Sequence, residues 1–442
     1  ATWAPCMPPA TAAAACEQQI IDLVGRRAYR HALSGPERAQ LQALFDAGLK
    51  EKDFATGVEW FLTGLLQTPD FQYQLVRPGA AEQIGQVVPI GAYEMASRLS
   101  YFVWNSMPDE PLFAAAAANA LTDRQAIQAQ ISRMVADLPN LSRGVSAFYS
   151  NWLTIKSFAE VQRSDPAFSV DVALSLGQSL LMSATELYKS ASPNIAALLT
   201  GQTYYMNKTL QAYYGLPTSA TTAFVATDMP GQHRSGLLTH PAFLALNARP
   251  QKTAPINRGM FVLQKLMCIP LQLPTGFTPP PTPDTPTPGM TTRQEIEVTH
   301  VQTACAGCHN LIDPPGFALE AFDQVGRLRT TDNGKPVDTS GRIVSGGAGT
   351  FLKSADLDGP FATGDDFVSK VATSVTVKAC VAQQYFEHAI SGDVATPVAP
   401  EDQCSANAVS GSFAQSGDLK SLIGLVAASD TFRFRTSEGA PR

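Results

Sequence analysis

Five residues, Cys305-Ala306-Gly307-Cys308-His309, constrain this chain more than any other stretch. The order C-x-x-C-H is the attachment sequence for c-type haem. The two thiols add across the two vinyl groups of one porphyrin, and the imidazole that follows is held under the iron as its proximal ligand. The chain around them is therefore expected to carry one covalently bound iron porphyrin, haem c, and its function belongs with that group. Two other readings compete. A structural zinc site needs four ligands and a second cluster of similar spacing, and no second C-x-x-C or H-x-x-x-H occurs in the sequence. A thioredoxin-like dithiol sits after a strand and opens a helix, whereas this motif follows a charged helical stretch and leads into Ile312-Asp313-Pro314-Pro315-Gly316.

The 442 residues exceed one simple core and imply two or three domains. Hydrophobic residues make up 45% and charged ones only 16%, and the net charge is −6. That balance argues against a nucleic-acid partner and offers no basic run for a membrane surface. No apolar run reaches the length of a transmembrane span. The chain opens at Ala1 without a basic, apolar leader, as a mature secreted protein does once its signal peptide is gone. Haem c is also attached outside the bacterial cytoplasm, so the expected location is the periplasm or the extracellular cell surface.

Seven cysteines fit such a compartment. Two go to haem. Cys6 and Cys16 can close a small loop in a Pro/Ala-rich segment, and Cys380 and Cys404 flank a helix and a Gly/Pro-rich turn and can pair. Cys268 is then left over, as a buried thiol acting as a small apolar residue.

The first half reads as helices. Ser34-Gly35-Pro36-Glu37 is a capping box with proline in the first turn, and Leu41, Leu44, Phe45 and Leu49 follow on one face. Residues 94–104 repeat the pattern with Met95, Leu99, Phe102 and Val103 inward. Residues 122–138 do so again, with Thr122 and Gln125 as the expected cap and Ile127, Ile131, Met134, Val135 and Leu138 as the stripe. Residues 172–190 form another long periodic stretch. Near 230 the pattern changes. Gly236-Leu237-Leu238-Thr239-His240 opens a helical segment expected to run through Phe261 and Leu266. Residues 270–288, with eight prolines in nineteen positions, read as a stiff connector. A helix over 291–303 then delivers the chain to the haem motif. Asn333-Gly334 marks a small β-hairpin, 341–349 is a glycine-rich loop without the chemistry of a phosphate cradle, and 365–390 and 418–428 return to helix. The expected fold is mainly α: an N-terminal helical module (1–80), a second (81–230), a cytochrome c-like haem segment (231–355) and a C-terminal helical module (356–442).

Several longer runs carry a family likeness. Gly25-Arg26-Arg27-Ala28-Tyr29-Arg30, residues 96–104 with Met107-Pro108-Asp109, Gly236 to Thr239, residues 253–259, Cys305 to His309, residues 312–320, Phe322-Asp323, residues 326–329, Cys380 and residues 429–435 resemble a large bacterial family of secreted proteins. Its members, abundant in planctomycetes and myxobacteria, are built from a fixed series of uncharacterised domains that includes a c-type cytochrome segment. The resemblance implies an extracytoplasmic, mostly helical haem c protein and carries over no reaction. Lys252 stands where the family usually has arginine, and His388 where it more often has tyrosine.

His309 is the expected proximal ligand, its second ring nitrogen donating to a backbone carbonyl of Pro314 or Pro315; alternatively those prolines only turn the chain. The distal position stays open among His300, Met290, His388, His240, Met260 and Met267. His300, five residues before Cys305, is where the family usually has a histidine; as a structural residue it bonds a propionate or the backbone. Arg258 and Arg329 suit haem propionates, or else ion pairs with Asp313 or Asp323 that hold modules together. The pairs Tyr204-Tyr205 and Tyr213-Tyr214 line a groove, relay electrons, or pack at crossings with wet hydroxyls. No G-x-S-x-G, H-E-x-x-H or dinucleotide fingerprint occurs. The expected function is one-electron transfer with a redox partner protein. The alternatives are a haem enzyme, peroxidase or oxygenase, acting on a small-molecule substrate at an open iron face, and a surface-binding protein whose haem is structural.

Overall fold

The computed structural model describes Cys6 and residues 13–75, 82–271, 284–300, 303–344, 356–392, Val394 and 398–437. The fold is mainly α, with four small two-stranded antiparallel sheets among the described residues. It divides into two compact units, residues 1–144 with 427–442 and residues 145–426.

In the first unit the helices Ala13–Tyr29, Gly35–Glu51 and Phe54–Gln67 enclose a core of Ile20, Ile21, Leu41, Phe45, Phe61 and Leu65. The capping box forms as the sequence requires: Ser34 Oγ accepts from Glu37 N, and Glu37 Oε2 accepts from Ser34 N at 2.8 Å. The stripe over 94–104 lies in the helix Ala92–Trp104, ended by Asn105 in the left-handed region. The helix expected from Thr122 instead spans Arg124–Ala136, and its cap is Asp123, whose Oδ1 accepts from Ala126 N at 2.8 Å. Thr122 belongs to a short 3-10 turn before it. The end of the chain returns to this unit: Phe434–Thr436 pairs with Val87–Pro89, and Phe432 packs against Phe102.

The second unit holds the haem motif. The segment expected to run unbroken through Leu266 is divided. A 3-10 turn at Leu237–Thr239 precedes the helix Pro241–Leu246, an Ala248–Thr253 bridge intervenes, and the helix Pro255–Phe261 ends in a π turn, Val262–Leu266. Pro241 and Pro255 sit in the first turn of each helix, the one place where a proline's missing N–H does no harm. The stretch 365–390 likewise splits at Ser374 into Gly364–Thr373 and Val375–Ser391. The Asn333-Gly334 hairpin is present: Thr331–Asp332 pairs with Lys335–Pro336, and both turn residues have positive φ, 51° and 78°, as a type I′ turn requires. Of the proline-rich connector, 272–283 lie outside the described residues, as do 345–349 of the glycine-rich loop.

Cys6 and Cys16 are disulfide-bonded. The second pairing differs from expectation: Cys268 joins Cys380, and Cys404 is a free, exposed thiol. The disulfides mark an oxidising, extracytoplasmic compartment. No described helix is long and apolar enough to cross a membrane.

Candidate functional site

The C-x-x-C-H residues lie in the helix Thr303–Phe317. A repeat of 3.6 residues places positions 305, 308 and 309 on one face. The side chain of Cys305 lies outside the described residues. Cys308 is an unpaired, exposed thiol, and a Cβ built on Gly307 would meet nothing within 4 Å. A free thiol, an adjacent imidazole and open space beside them fit a covalently attached porphyrin.

The helix does not turn at Pro314 and Pro315 but continues to Phe317. Its carbonyls therefore point along the axis, and Pro314 O accepts from Ala318 N at 3.1 Å. The expected proline-carbonyl partner of His309 is accordingly replaced. His309 Nδ1 lies 2.9 Å from Asp313 Oδ1, because residue 313 is one turn further along the same face. The other oxygen, Asp313 Oδ2, lies 2.7 Å from Nδ1 of His300, the last residue of the helix Thr292–His300. The two imidazoles are side by side, with ring centroids 3.5 Å apart and planes 32° apart. Asp313 is buried, and each histidine side chain retains about a fifth of its exposure, 17% and 22%. An ionised carboxylate only accepts. Beside such an acceptor each Nδ1 is the donor, which leaves Nε2 as the ring nitrogen available to a ligand. The ligand atoms of these three side chains lie within 4.8 Å of one another, a spacing that also suits a bare metal ion.

The two arginines that suited either propionates or ion pairs are held by protein groups. Arg258 has no exposed surface. Its Nη1 donates to Leu319 O at 2.8 Å, Glu320 Oε1 at 3.1 Å and Phe322 O at 3.0 Å, and its Nη2 donates to Asp323 O at 3.0 Å. Arg329 Nη2 donates to Glu320 Oε2 at 2.8 Å, and its Nη1 to Asp332 Oδ1 at 2.7 Å. Both arginines thus follow the ion-pair reading, but with Glu320 and Asp332 where Asp313 and Asp323 were expected. Thr253 Oγ1 completes the cluster with a 2.6 Å bond to Glu320 Oε2. Burial pushes the Glu320 carboxyl up, against the pull of Arg258 and Arg329. Asp332 Oδ2 accepts from Thr292 N at 2.6 Å, so the cluster reaches the start of the helix that ends at His300. Lys252, the other departure from the family pattern, is buried and paired with Glu295 of that helix at 2.7 Å.

His240 is buried, its Nδ1 accepts from Ala242 N at 3.1 Å, and its Nε2 faces Ser179 Oγ and Ser183 Oγ, each at 3.4 Å. It caps the helix Pro241–Leu246 and has no ring nitrogen to offer an iron. Burial and Arg234 hold it down to about 3. His388 packs beside Phe148 and Tyr385, at ring distances of 5.5 and 6.4 Å. Met267 is buried, and Met260 and Met290 are half-buried. Three of the four tyrosine hydroxyls face protein partners. Tyr204 points its hydroxyl at Thr239 Oγ1, 3.4 Å away. Tyr213 donates to Asp165 Oδ2 at 2.7 Å, and Tyr214 to Val325 O at 2.7 Å. Tyr205 is half-buried.

The family-like run 312–320 contains Glu320, but nothing in the sequence marked it as the partner of Arg258 and Arg329. Sequence reasoning also missed the tie from Asp313 to His309, which the i, i+4 spacing offered.

Three family models match the chain, each described as a protein of unknown function. They are PSD5 (DUF1595) over residues 16–75, PSD4 (DUF1592) over 90–216 and PSCyt3 (DUF1588) over 234–332. These are the planctomycete-type cytochrome domains, and they support the family resemblance. The third spans the C-x-x-C-H residues, His300, Asp313 and the Arg258–Glu320–Arg329 cluster. No curated protein and no solved structure matches the chain.

Proposed function

We propose that this chain is an extracytoplasmic mono-haem c-type cytochrome acting in one-electron transfer. The observation that carries the reading is Cys308: an unpaired, exposed thiol directly before His309, in a protein that oxidises Cys6, Cys16, Cys268 and Cys380 to disulfides. Cys305 and Cys308 hold the porphyrin, and His309 offers Nε2 to the iron while Asp313 keeps Nδ1 occupied. When bound, the haem supplies a one-electron ferric/ferrous couple. The Arg258–Glu320–Arg329 cluster keeps the turn after the motif helix in place.

A second reading is a haem enzyme, a peroxidase or oxygenase, with an open distal face. It is favoured by the placement of His300, which lies beside His309. The two rings stand 3.5 Å apart between centroids, so His300 would neighbour the imidazole that holds the iron rather than supply a second ligand to it.

The test is expression with a haem c maturation system, followed by denaturing mass spectrometry and optical spectra in both redox states with and without carbon monoxide. Covalent haem with a low-spin spectrum untouched by carbon monoxide supports electron transfer. Covalent haem that binds carbon monoxide supports the enzyme. Absence of covalent haem, with or without a bare metal ion at His300, His309 and Asp313, sinks both readings.

A further inference from the structure

We infer that Asp313 is a positioning residue for the iron ligand His309, and that His300 acts through Asp313 rather than as a second ligand to the iron. The inference rests on haem attachment at His309. It starts from one carboxylate holding two imidazoles. Asp313 Oδ1 takes Nδ1 of His309 at 2.9 Å and Oδ2 takes Nδ1 of His300 at 2.7 Å. Asp313 is buried, where an ionised acceptor acts more strongly than it does in water.

The two contacts have separate consequences. The bond to His309 fixes the tautomer and the rotation of the ring, and leaves Nε2 as the free donor nitrogen. A carboxylate acceptor also makes that nitrogen more electron-rich than a backbone carbonyl does, which stabilises ferric over ferrous iron. The bond from His300 occupies the second oxygen, so the carboxylate cannot swing away from His309. His300 is itself placed by its helix, whose first N–H is tied to Asp332 of the buried ion cluster. The rings lie side by side, 3.5 Å between centroids, so His300 stands beside His309 and not opposite it.

The experiment is to prepare wild type, Asp313→Asn, Asp313→Glu and His300→Gln with haem attached, and to measure for each the midpoint potential and the response of the spectrum to carbon monoxide. The Asp313→Asn variant keeps one acceptor oxygen and loses the charge. It is expected to retain covalent haem and to favour the ferrous form by about tenfold, about 59 mV for one electron. The Asp313→Glu variant should recover part of that shift. The His300→Gln variant should move the potential in the same direction by less and leave the carbon monoxide response as in wild type.

An unchanged potential in Asp313→Asn overturns the inference. So does a His300→Gln protein that changes spin state or newly binds carbon monoxide, since that would make His300 an axial ligand. If Asp313→Asn does not accumulate folded, the His300→Gln spectra decide alone. Absence of haem from the wild type defeats the functional reading instead, and the two failures are thereby told apart.

Discussion

Gly316 lies against Pro255 so closely that a Cβ on Gly316 would sit 2.0 Å from the Pro255 carbonyl oxygen. The reverse contact is as tight: a Cβ on Gly259 would sit 1.9 Å from Ile312 O. The haem-motif helix and the helix Pro255–Phe261 therefore meet backbone to backbone, and the glycines are required by space. Gly316→Ala and Gly259→Ala are each expected to lower stability by about 1–3 kcal/mol or more, the range for forced overpacking. Thermal unfolding of the protein, followed by far-UV circular dichroism, checks this. A Tm equal to wild type in either variant would show that the helices can separate freely.

Glu320 is buried between Arg258 and Arg329. Removing its charge leaves Arg258 buried without a counter-ion, which in other proteins is destabilising by about 3–5 kcal/mol. Glu320→Gln should shift the urea midpoint accordingly and loosen the 318–323 turn. Hydrogen exchange at Leu319 and Phe322, whose carbonyls also bond Arg258, would report the loosening. Exchange identical to wild type would remove the cluster from the account of how the motif helix is held.

Two buried groups, His240 and Glu17, should contribute to stability with opposite pH dependence. In the second unit, His240 is held down to about 3 by burial and then by Arg234. A histidine depressed in the folded state is neutral there but charges when unfolded. Its contribution is full above its ordinary value near 6.5 and is lost as pH falls toward 3. In the first unit, Glu17 is raised to about 7 by burial and then by the neighbouring carboxylate of Asp46. A raised carboxyl binds its proton more tightly when folded, so its contribution is full below the ordinary carboxylate range and is lost as pH rises through about 7. Unfolding monitored site by site between about pH 4 and 8 should resolve the two trends. His240→Gln and Glu17→Gln should each change the pH dependence of its own unit, in opposite directions, and a variant whose pH dependence equals wild type would contradict that assignment.

The Cys268–Cys380 disulfide closes a loop of 112 residues. Loops near this length are stabilised by about 4–5 kcal/mol when the bond constrains the unfolded chain. Peptide mapping of the unreduced protein should recover Cys268 joined to Cys380. An alkylating reagent should label Cys404 without reductant. Recovery of a Cys380–Cys404 peptide would refute this pairing.

What the sequence determined by itself was local. The capping box at Ser34, the left-handed pair Asn333-Gly334, the periodic core stripes and the C-x-x-C-H run are each complete within a few residues. Their physics is that of one turn or one helix face, so pattern alone exposed them. Even there, neighbouring candidates competed, and Asp123 displaced Thr122 as a cap because its carboxylate reaches the first free N–H groups. Tertiary structure decided which distant groups meet. Cys268 found Cys380 rather than lying idle, Arg258 and Arg329 found Glu320, and His300 came to rest beside His309 through Asp313. No periodicity encodes such meetings. They follow from where two glycines let helices touch, and from the requirement that each buried charge end beside a partner.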